Sequence, residues 1–409
     1  MNSFTRTKTW YVKDHEKTEL IGFDLAWLPR SAYKYLTPIV NNGTVHIETG
    51  SYVGAITLKN NDSLHITPRC GQKSFSRMIM VADNIDDRLF KEVETAISTF
   101  SEKESSEQWI KIVADSFLNY LRQIEKQSLS PERQWQFNRQ NTISGKVNYN
   151  RTSIALQKKQ NKPIITKRKI KSFDTIENQF LSEAAFQLTR LSLVPNDKMA
   201  TAIRWVKTLK KGKIQHKDLG ILFAKLDRGQ IDSSRPYYTQ ALLLARIITG
   251  FGGVGFTGDK NIETSSFFTN IPILFEKYIM KCIDSYLPKE EFIVQKPTKG
   301  EYCLFQDGSI DMEPDILINK NFHPYLVLDS KYKPGKEIPS SDYYQMMTYL
   351  TQLKLKTGAF VAPSYYGNTL SHKVANSGET IYEIRLDISN WRTAEEFLKK
   401  SIKTVVSGL

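Results

Sequence analysis

Apolar and polar residues alternate along much of the first 85 residues, with polar turns between the runs. Tyr52–Leu58 and Leu64–Pro68 flank the polar sequence Asn60-Asn61-Asp62, which is the pattern of a β-hairpin. A second turn signal, Asn41-Asn42-Gly43, lies further upstream. The pattern predicts a β-rich N-terminal domain over residues 1–85.

Apolar residues recur at helical spacing through much of residues 86–255, which predicts a mainly helical domain. The clearest predicted helices are Trp109–Ile124, Asp174–Leu193 and Tyr238–Ile248. Between the first two of these helices lies a segment rich in basic residues, whose pattern looks less regular.

Predicted helices and short strands alternate in the last region, residues 256–409. Helices are predicted at Phe268–Tyr286, Ser340–Leu355 and Thr393–Val405, and a strand is predicted near Thr380–Leu386. A chain of 409 residues exceeds the usual size of a single hydrophobic core. We therefore predict a multidomain protein of the α+β or α/β class.

Residues 312–331 hold the most informative chemistry of the chain, because two short strands here flank a polar turn. In an antiparallel hairpin centred on Phe322, Asp315 lies directly opposite Asp329. Lys331 lies two residues beyond Asp329 and therefore points to the same face. The pattern brings two carboxylates and a lysine together.

Directly opposed like charges destabilise a strand pair, and a cation bound between these two carboxylates would offset their repulsion. Hard oxygen ligands favour a divalent metal ion. Alternatively, Glu313 lies opposite Lys331 in the same register, and a cross-strand salt bridge would account for the lysine. The apolar run Leu-Val-Leu before Asp329 favours the metal, because an unpaired carboxylate is costly to bury.

The sequence Pro-Asp at 314–315 followed by Asp-Ser-Lys at 329–331 resembles the signature of PD-(D/E)xK nucleases. This resemblance implies a restriction-endonuclease-like α/β core within the C-terminal region. It also implies that Asp315 and Asp329 hold Mg²⁺ or Mn²⁺, while Lys331 orients or activates the attacking water.

Flanking residues extend the same resemblance. In this superfamily the helix before the hairpin often supplies an acidic metal ligand, which we place at Glu276, and the Ser330 carbonyl is a further implied ligand. Gln345 and Tyr349 share one face of a predicted helix. Their spacing resembles the Gln-x-x-x-Tyr element of the RecB-like branch and implies a catalytic role, although an ordinary amphipathic helix has the same spacing.

The charge of the chain points to a polyanionic partner. Lys and Arg exceed Asp and Glu, 57 against 43, for a net charge of +14. Residues 133–171 hold eleven basic residues and no acidic one, with Trp135, Phe137 and Tyr149 among them. We predict that double-stranded DNA binds here; a solvated basic loop without a ligand is the alternative. The predicted DNA-binding residues are Arg133, Arg139, Lys146, Arg151, Lys158, Lys159, Lys167, Arg168 and Lys169.

The sequence does not support a disulfide-rich, zinc-binding, nucleotide-binding or membrane protein. The three cysteines are widely separated, which indicates neither a disulfide framework nor a zinc site. The glycines at 250–255 are not followed by Gly-Lys-Ser/Thr, so no phosphate loop and no small-molecule cofactor site are expected. The chain also shows no signal peptide and no membrane span. We expect a cytoplasmic protein.

Motifs outside the hairpin narrow the family. Between about residue 50 and residue 365 the chain resembles McrC proteins. The segments that carry this resemblance are Val53-Gly54-Ala55-Ile56, Ile66-Thr67-Pro68-Arg69, Ser144-Gly145-Lys146-Val147, Asp174-Thr175-Ile176-Glu177-Asn178 and Arg235-Pro236-Tyr237-Tyr238. Arg69 stands where the family has lysine.

The resemblance implies the endonuclease subunit of a McrBC-type or LlaJI-like restriction system. Such subunits act with a McrB-like AAA+ GTPase hexamer, whose hydrolysis they stimulate through their N-terminal region. Two other functions stay open. One is an autonomous RecB-like nuclease in repair or defence, and the other is a catalytically idle subunit that binds DNA and stimulates the GTPase.

Overall fold

The structure is a computed structural model of the whole chain. It describes residues 8–60, 62–83, 102–127, 132–143, 146–190, 194–208, 216–227, 230–231, 235–250, 266–333 and 337–407, with Ile85, Lys91, Thr95 and Leu129. The chain divides into two compact units. One unit comprises Met1–Val113 with Gly250–Leu409, and the other comprises Ala114–Thr249. The predicted domain boundaries at residues 85 and 255 stay predictions.

The helices and strands follow one another in three stretches. The first stretch contains β1 (Thr9–Lys13), β2 (Lys17–Glu19), β3 (Leu36–Asn41), β4 (Thr44–Thr49), β5 (Tyr52–Thr57), β6 (Ser63–Thr67), α1 (Gly71–Ala82) and α2 (Glu102–Gln127). The second contains β7 (Glu132–Gln140), β8 (Lys146–Val147), α3 (Tyr149–Gln157), β9 (Ile164–Ser172), α4 (Ile176–Arg190), α5 (Met199–Thr208), α6 (His216–Asp227) and α7 (Pro236–Gly250). The third contains β10 (Ser266–Asn270), α8 (Ile271–Tyr286), β11 (Phe292–Gln295), β12 (Ile316–Lys320), β13 (His323–Ser330), α9 (Ser340–Leu353), β14 (Thr357–Ser364), β15 (Thr369–Val374), β16 (Thr380–Asp387) and α10 (Trp391–Ser407).

The N-terminal strands form two sheets, in the orders β1-β6-β5-β10 and β2-β4-β3. The predicted hairpin is present as the antiparallel pair β5–β6. The predicted Asn-Gly turn closes the β3–β4 hairpin with positive φ angles of 48° at Asn42 and 79° at Gly43. Both angles suit the two-residue turn that matches the twist of a hairpin.

In the unit Ala114–Thr249 the predicted helices are present as α4 and α7, and α2 contains the third. The basic segment, predicted to be less regular, instead forms an antiparallel sheet in the order β7-β9-β8, with α3 between β8 and β9. The prediction was wrong because the β9 sequence, IITKRKIKS, places charged residues at consecutive positions. It therefore lacks the period-two alternation that marks a half-buried strand.

The C-terminal strands form a six-stranded sheet in the order β11-β12-β13-β14-β16-β15. Its central strands β13, β14 and β16 run parallel, and α9 makes the crossover from β13 to β14. Every residue of β14 is buried, as expected for a strand covered on both faces. Val327 and Phe360 pack with Met346 and Leu350 of α9 in a hydrophobic core. The face of β13 that carries Val327 is therefore the face toward α9.

The remaining helices of this region agree with the prediction to within a few residues, except at the start of α8. The predicted helix began at Phe268, but residues up to Asn270 form β10 and pair with β5. The Asn270 side chain accepts a hydrogen bond from Ile273 N and caps α8. Within the described part of the chain, every helix is too short or too polar to cross a membrane.

Candidate functional site

The β12–β13 hairpin keeps the predicted register where it matters for the site. Its pairs Ile316–Leu328 and Leu317–Val327 continue toward Asp315 and Asp329, as a hairpin centred on Phe322 requires. The register shifts by one residue after Ile318. This shift lies at the far end, where a turn of two residues closes the hairpin with φ angles of 50° and 67°.

Asp315 is held by the strand that faces it. Ser330 donates two hydrogen bonds to Asp315 Oδ2, from its backbone N at 2.9 Å and from its Oγ at 3.0 Å. These bonds join the start of β12 to the end of β13. They fix the position of Asp315 beside the neighbours of Ser330, which are Asp329 and Lys331.

Asp329 is 3% exposed, and Lys331 Nζ lies 2.5 Å from its Oδ2. Lys331 therefore pairs with Asp329, whereas the alternative account paired it with Glu313. The contact is a short ion pair, and no other donor among the described groups reaches this buried oxygen.

Burial, and next the charge of Asp315, raise the pKa of Asp329 to about 6, although Lys331 acts in the opposite direction. Burial lowers the pKa of Lys331, but the contact with Asp329, together with the charges of Asp342 and Asp315, raises that pKa above its ordinary value. The ammonium of Lys331 is therefore retained at neutral pH. The two carboxylates carry more negative charge than one lysine offsets.

Helix α9 brings two more predicted residues to the lysine. Lys331 Nζ donates to Gln345 Oε1 at 3.4 Å, and Gln345 Nε2 donates to Tyr349 OH at 2.7 Å. Burial, followed by the charge of Asp329, raises the pKa of Tyr349 to about 12, which keeps its hydroxyl protonated. The spacing of four residues on α9 thus places both side chains in one hydrogen-bonded chain that ends at Lys331.

Glu276 has a different partner. Lys296, directly after β11, places its Nζ 2.5 Å from Glu276 Oε1. Burial and the charge of Asp315 raise the pKa of Glu276, while Lys296 acts against them. Glu276 therefore lies within the electrostatic field of Asp315 but forms its ion pair elsewhere. Lys296 was missed because it lies twenty residues from Glu276 on another element, and no motif marks it.

The oxygen atoms of Asp315 and Asp329 fit a divalent cation. They are hard ligands, and the negative charge of each opposes that of the other. Among the described residues, no three or more His, Cys, Asp or Glu side chains lie close enough to hold a metal ion. Mg²⁺ is commonly bound through one or two carboxylates together with water and substrate phosphate, so two carboxylates suffice.

The nine predicted DNA-binding residues all lie in the unit Ala114–Thr249. They occupy the strands β7, β8 and β9, the helix α3 and the turn that follows α3. Their side chains do not all share one face of the β7-β9-β8 sheet. Arg168 is the exception on β9, because Lys167 and Lys169 on either side of it point the other way.

Comparison with known families identifies the chain. The family described as "McrBC 5-methylcytosine restriction system component" matches residues 47–363, which is more than half of the chain. The chain belongs to the McrBC family. The family resemblance predicted from the sequence is therefore confirmed. None of the curated proteins compared with the chain matches it.

One solved chain from a McrB–McrC assembly has a similar fold. A chain from the half-complex of the tetradecameric assembly of Thermococcus gammatolerans McrB AAA+ hexamers with bound McrC has a TM-score of 0.58 at 15% identity. The match covers 97% of this chain and 100% of that chain. A chain from the cryo-EM structure of the T. gammatolerans McrBC complex has a TM-score of 0.42 at 13% identity, covering 69% of this chain and 89% of that chain.

Proposed function

We propose that this McrBC-family chain is a metal-dependent DNA endonuclease subunit of a restriction system. The observation that carries the proposal is the convergence of Asp315, Asp329 and Lys331 at one end of the β12–β13 hairpin. The mixed sheet with its crossover helix supports a PD-(D/E)xK core, and the contact of Gln345 with Lys331 supports the RecB-like branch.

In this proposal Asp315 and Asp329 hold Mg²⁺ or Mn²⁺. A bound ion of this kind lowers the pKa of its water and stabilises charge on the attacking and leaving oxygens of a phosphodiester. Ser330 keeps Asp315 in place through its two hydrogen bonds. Glu276 and the Ser330 carbonyl remain predicted ligands, and Glu276 would have to leave Lys296 to reach the metal.

In this proposal Lys331 acts on the phosphate group and on the attacking water. Because its pKa is raised, we assign it to orienting the water and offsetting negative charge on the phosphoryl oxygens, rather than to removing a proton. Gln345 positions the ammonium, and Tyr349 in turn positions the Gln345 amide. In the reaction a water oxygen bonds to phosphorus and passes a proton to solvent, while one ester P–O bond breaks and the departing sugar oxygen takes up a proton from solvent to become a hydroxyl.

We further propose that a McrB-like AAA+ GTPase hexamer is the partner, and that this chain stimulates its GTP hydrolysis. Membership of the McrBC family supports this partner. The fold shared with a chain from an assembly of McrB hexamers with bound McrC is consistent with it. Double-stranded DNA is the proposed substrate, and the cytoplasm is the proposed location.

Reconstitution tests the proposal. The purified chain is incubated with Mg²⁺ and with DNA that does or does not contain 5-methylcytosine, first alone and then with the McrB-type partner and GTP. We expect DNA cleavage only in the complete mixture. Cleavage by the chain alone would instead support an autonomous RecB-like nuclease. Faster GTP hydrolysis without any cleavage would support a catalytically idle subunit.

A further inference from the structure

Lys296 is a second lysine beside the candidate metal site. Strand β11 pairs antiparallel with β12, and its last pair is Gln295–Leu317. One further step in this register brings Lys296 to the start of β12, directly after Asp315. The Lys296 Nζ lies 2.5 Å from Glu276 Oε1 on α8. This lysine therefore contacts one predicted metal ligand and lies near another.

Three carboxylates act on the Lys296 ammonium. Burial lowers the pKa of Lys296, but its contact with Glu276 raises it. The charges of Asp315 and Glu313 act in the same direction as Glu276, and the pKa of Lys296 lies above its ordinary value. The ammonium is therefore retained at neutral pH. A positive charge in this position attracts the same carboxylates that a divalent cation would bind.

The two members of this ion pair differ in exposure. The Glu276 side chain is 15% exposed, whereas the Lys296 side chain is 47% exposed. Leaving the pair costs Lys296 little desolvation, because its ammonium can extend into water on a flexible four-carbon stem. Glu276 without a cation is a largely buried carboxylate that the charge of Asp315 opposes. A cation at Glu276 is therefore stabilising, and Lys296 is a cation that can be exchanged.

The ion pair also separates Glu276 from the two aspartates. Among the residues that the structure describes, no three His, Cys, Asp or Glu side chains lie close enough to hold a metal ion together. With Glu276 paired to Lys296, the site offers a metal ion the carboxylates of Asp315 and Asp329. Release of Glu276 would add a third carboxylate, and the affinity of oxygen sites for divalent cations depends on the number of charged ligands.

We propose that Lys296 is an internal counter-ion that competes with the divalent metal ion for Glu276 and thereby sets the metal affinity of the site. The inference rests on the proposed function, because it takes Asp315 and Asp329 as ligands of Mg²⁺ or Mn²⁺. When Glu276 exchanges the ammonium for the metal ion, Lys296 extends into solvent. The metal concentration at which the site fills then depends on a residue that coordinates no metal.

A set of variants separates this competition from a general effect of charge. Lys296→Gln removes the ammonium, whereas Lys296→Arg keeps a positive charge that can pair with Glu276. Glu276→Gln removes the carboxylate for which the two cations compete. Lys299→Gln is the matched control, because Lys299 follows the same strand, its side chain is 80% exposed, and it lies 4.0 Å from Asp311.

The test measures Mn²⁺ binding to the full-length chain without DNA, by electron paramagnetic resonance of the free ion. Binding that Asp329→Ala removes is assigned to the candidate site. We expect Lys296→Gln to raise Mn²⁺ affinity there by about tenfold, because a third carboxylate becomes available. Lys296→Arg and Lys299→Gln should bind like the unmodified chain. In a Glu276→Gln background, Lys296→Gln should give no gain.

Unchanged or weaker Mn²⁺ binding in Lys296→Gln would overturn the proposal. A gain of equal size in the Glu276→Gln background would also overturn it, because Lys296 would then act only through its charge on the aspartates. Both results leave the nuclease proposal intact. If Asp329→Ala removes no Mn²⁺ binding, the metal-dependent function fails together with this inference. Melting curves in EDTA confirm that the variants fold, and the double variant leaves no unpaired charge at this position.

Discussion

Asp14 is a fully buried carboxylate in the same compact unit as the candidate site. Arg69 N donates to its Oδ1 at 2.5 Å, and the Tyr332 hydroxyl donates to its Oδ2 at 3.4 Å. Tyr332 follows Lys331 directly in the chain. Asp14 therefore links β1 and β6 to the end of β13, next to the proposed catalytic lysine.

Burial raises the pKa of Asp14 from 3.8 to about 6, against the opposing effects of Arg69 and Tyr332. The folded protein thus binds this proton more tightly than the unfolded chain does. The stabilisation from the protonated form is complete below about pH 3.8 and is lost as the pH rises through about 6. At neutral pH the ionised carboxylate reduces the stability of the fold.

Asp14→Asn should therefore stabilise the protein in mildly alkaline solution. An amide keeps the acceptor for Arg69 N and carries no charge to bury. We expect the free energy of unfolding to rise by about 1–3 kcal/mol near pH 8 and the gain to vanish near pH 4, as a shift of about two pKa units implies. Denaturation at both pH values measures this difference. A variant that is equally destabilised at both would show that the carboxylate is needed in its charged form.

At the scale of single residues, the sequence predicted which side chains lie close together when their proximity follows from local backbone geometry. Asp315, Asp329 and Lys331 are related by hairpin register, and Gln345 and Tyr349 by helical spacing, so their proximity was predictable. Lys296 and Asp14 were not predicted, because each meets its partner through a tertiary contact between distant segments.

Among the elements, α9 owes its close approach to β14 to a glycine. A Cβ atom added at Gly358 would lie 2.6 Å from Met346 Sδ and 3.3 Å from Leu350 Cδ2. Both contacted residues are on α9, which also carries Gln345 and Tyr349. The absence of a side chain at Gly358 therefore contributes to placing Gln345 near Lys331.

Gly358→Ala should destabilise the unit by about 1–3 kcal/mol, because the added methyl group overpacks the core against Met346. Met346→Ala removes the clashing side chain, at its own cost of about 2–5 kcal/mol from lost burial. We expect the double variant to be more stable than the sum of the two single effects indicates. Denaturation of the four proteins in this cycle measures the coupling. Strict additivity would contradict the packing role given to Gly358.

Elements with a clear hydrophobic period were predicted from the sequence, whereas strands defined only by pairing with a distant strand were not. α9 and α10 carry regular apolar stripes, whereas β9 carries charges at consecutive positions on both faces. β10 was assigned to the following helix because only its pairing with β5 distinguishes it. The same holds for Arg168. A count of basic residues locates the basic segment, but only the strand register shows that Arg168 lies on the opposite face from Lys167 and Lys169.

For the whole molecule, the proposed nuclease sheet and the N-terminal strands belong to one compact unit. β10 joins the N-terminal sheet, and α1 packs on α8. The Arg77–Glu395 ion pair at 2.8 Å connects α1 to α10. The N-terminal region is therefore in direct contact through α1 with α10 and with α8, the helix that carries Glu276. This connection offers a physical route by which a partner bound to the N-terminal region could affect cleavage.

The central claim is that Asp315, Asp329 and Lys331 cleave DNA, and Asp329→Ala in the reconstituted system tests it most directly. The matched control is Asp284→Asn, which changes a carboxylate of α8 that pairs with Lys289 at 3.3 Å. We predict that Asp329→Ala abolishes DNA cleavage while folding and partner-stimulated GTP hydrolysis persist, and that Asp284→Asn still cuts. Cleavage by Asp329→Ala at the rate of the unmodified chain would contradict the account.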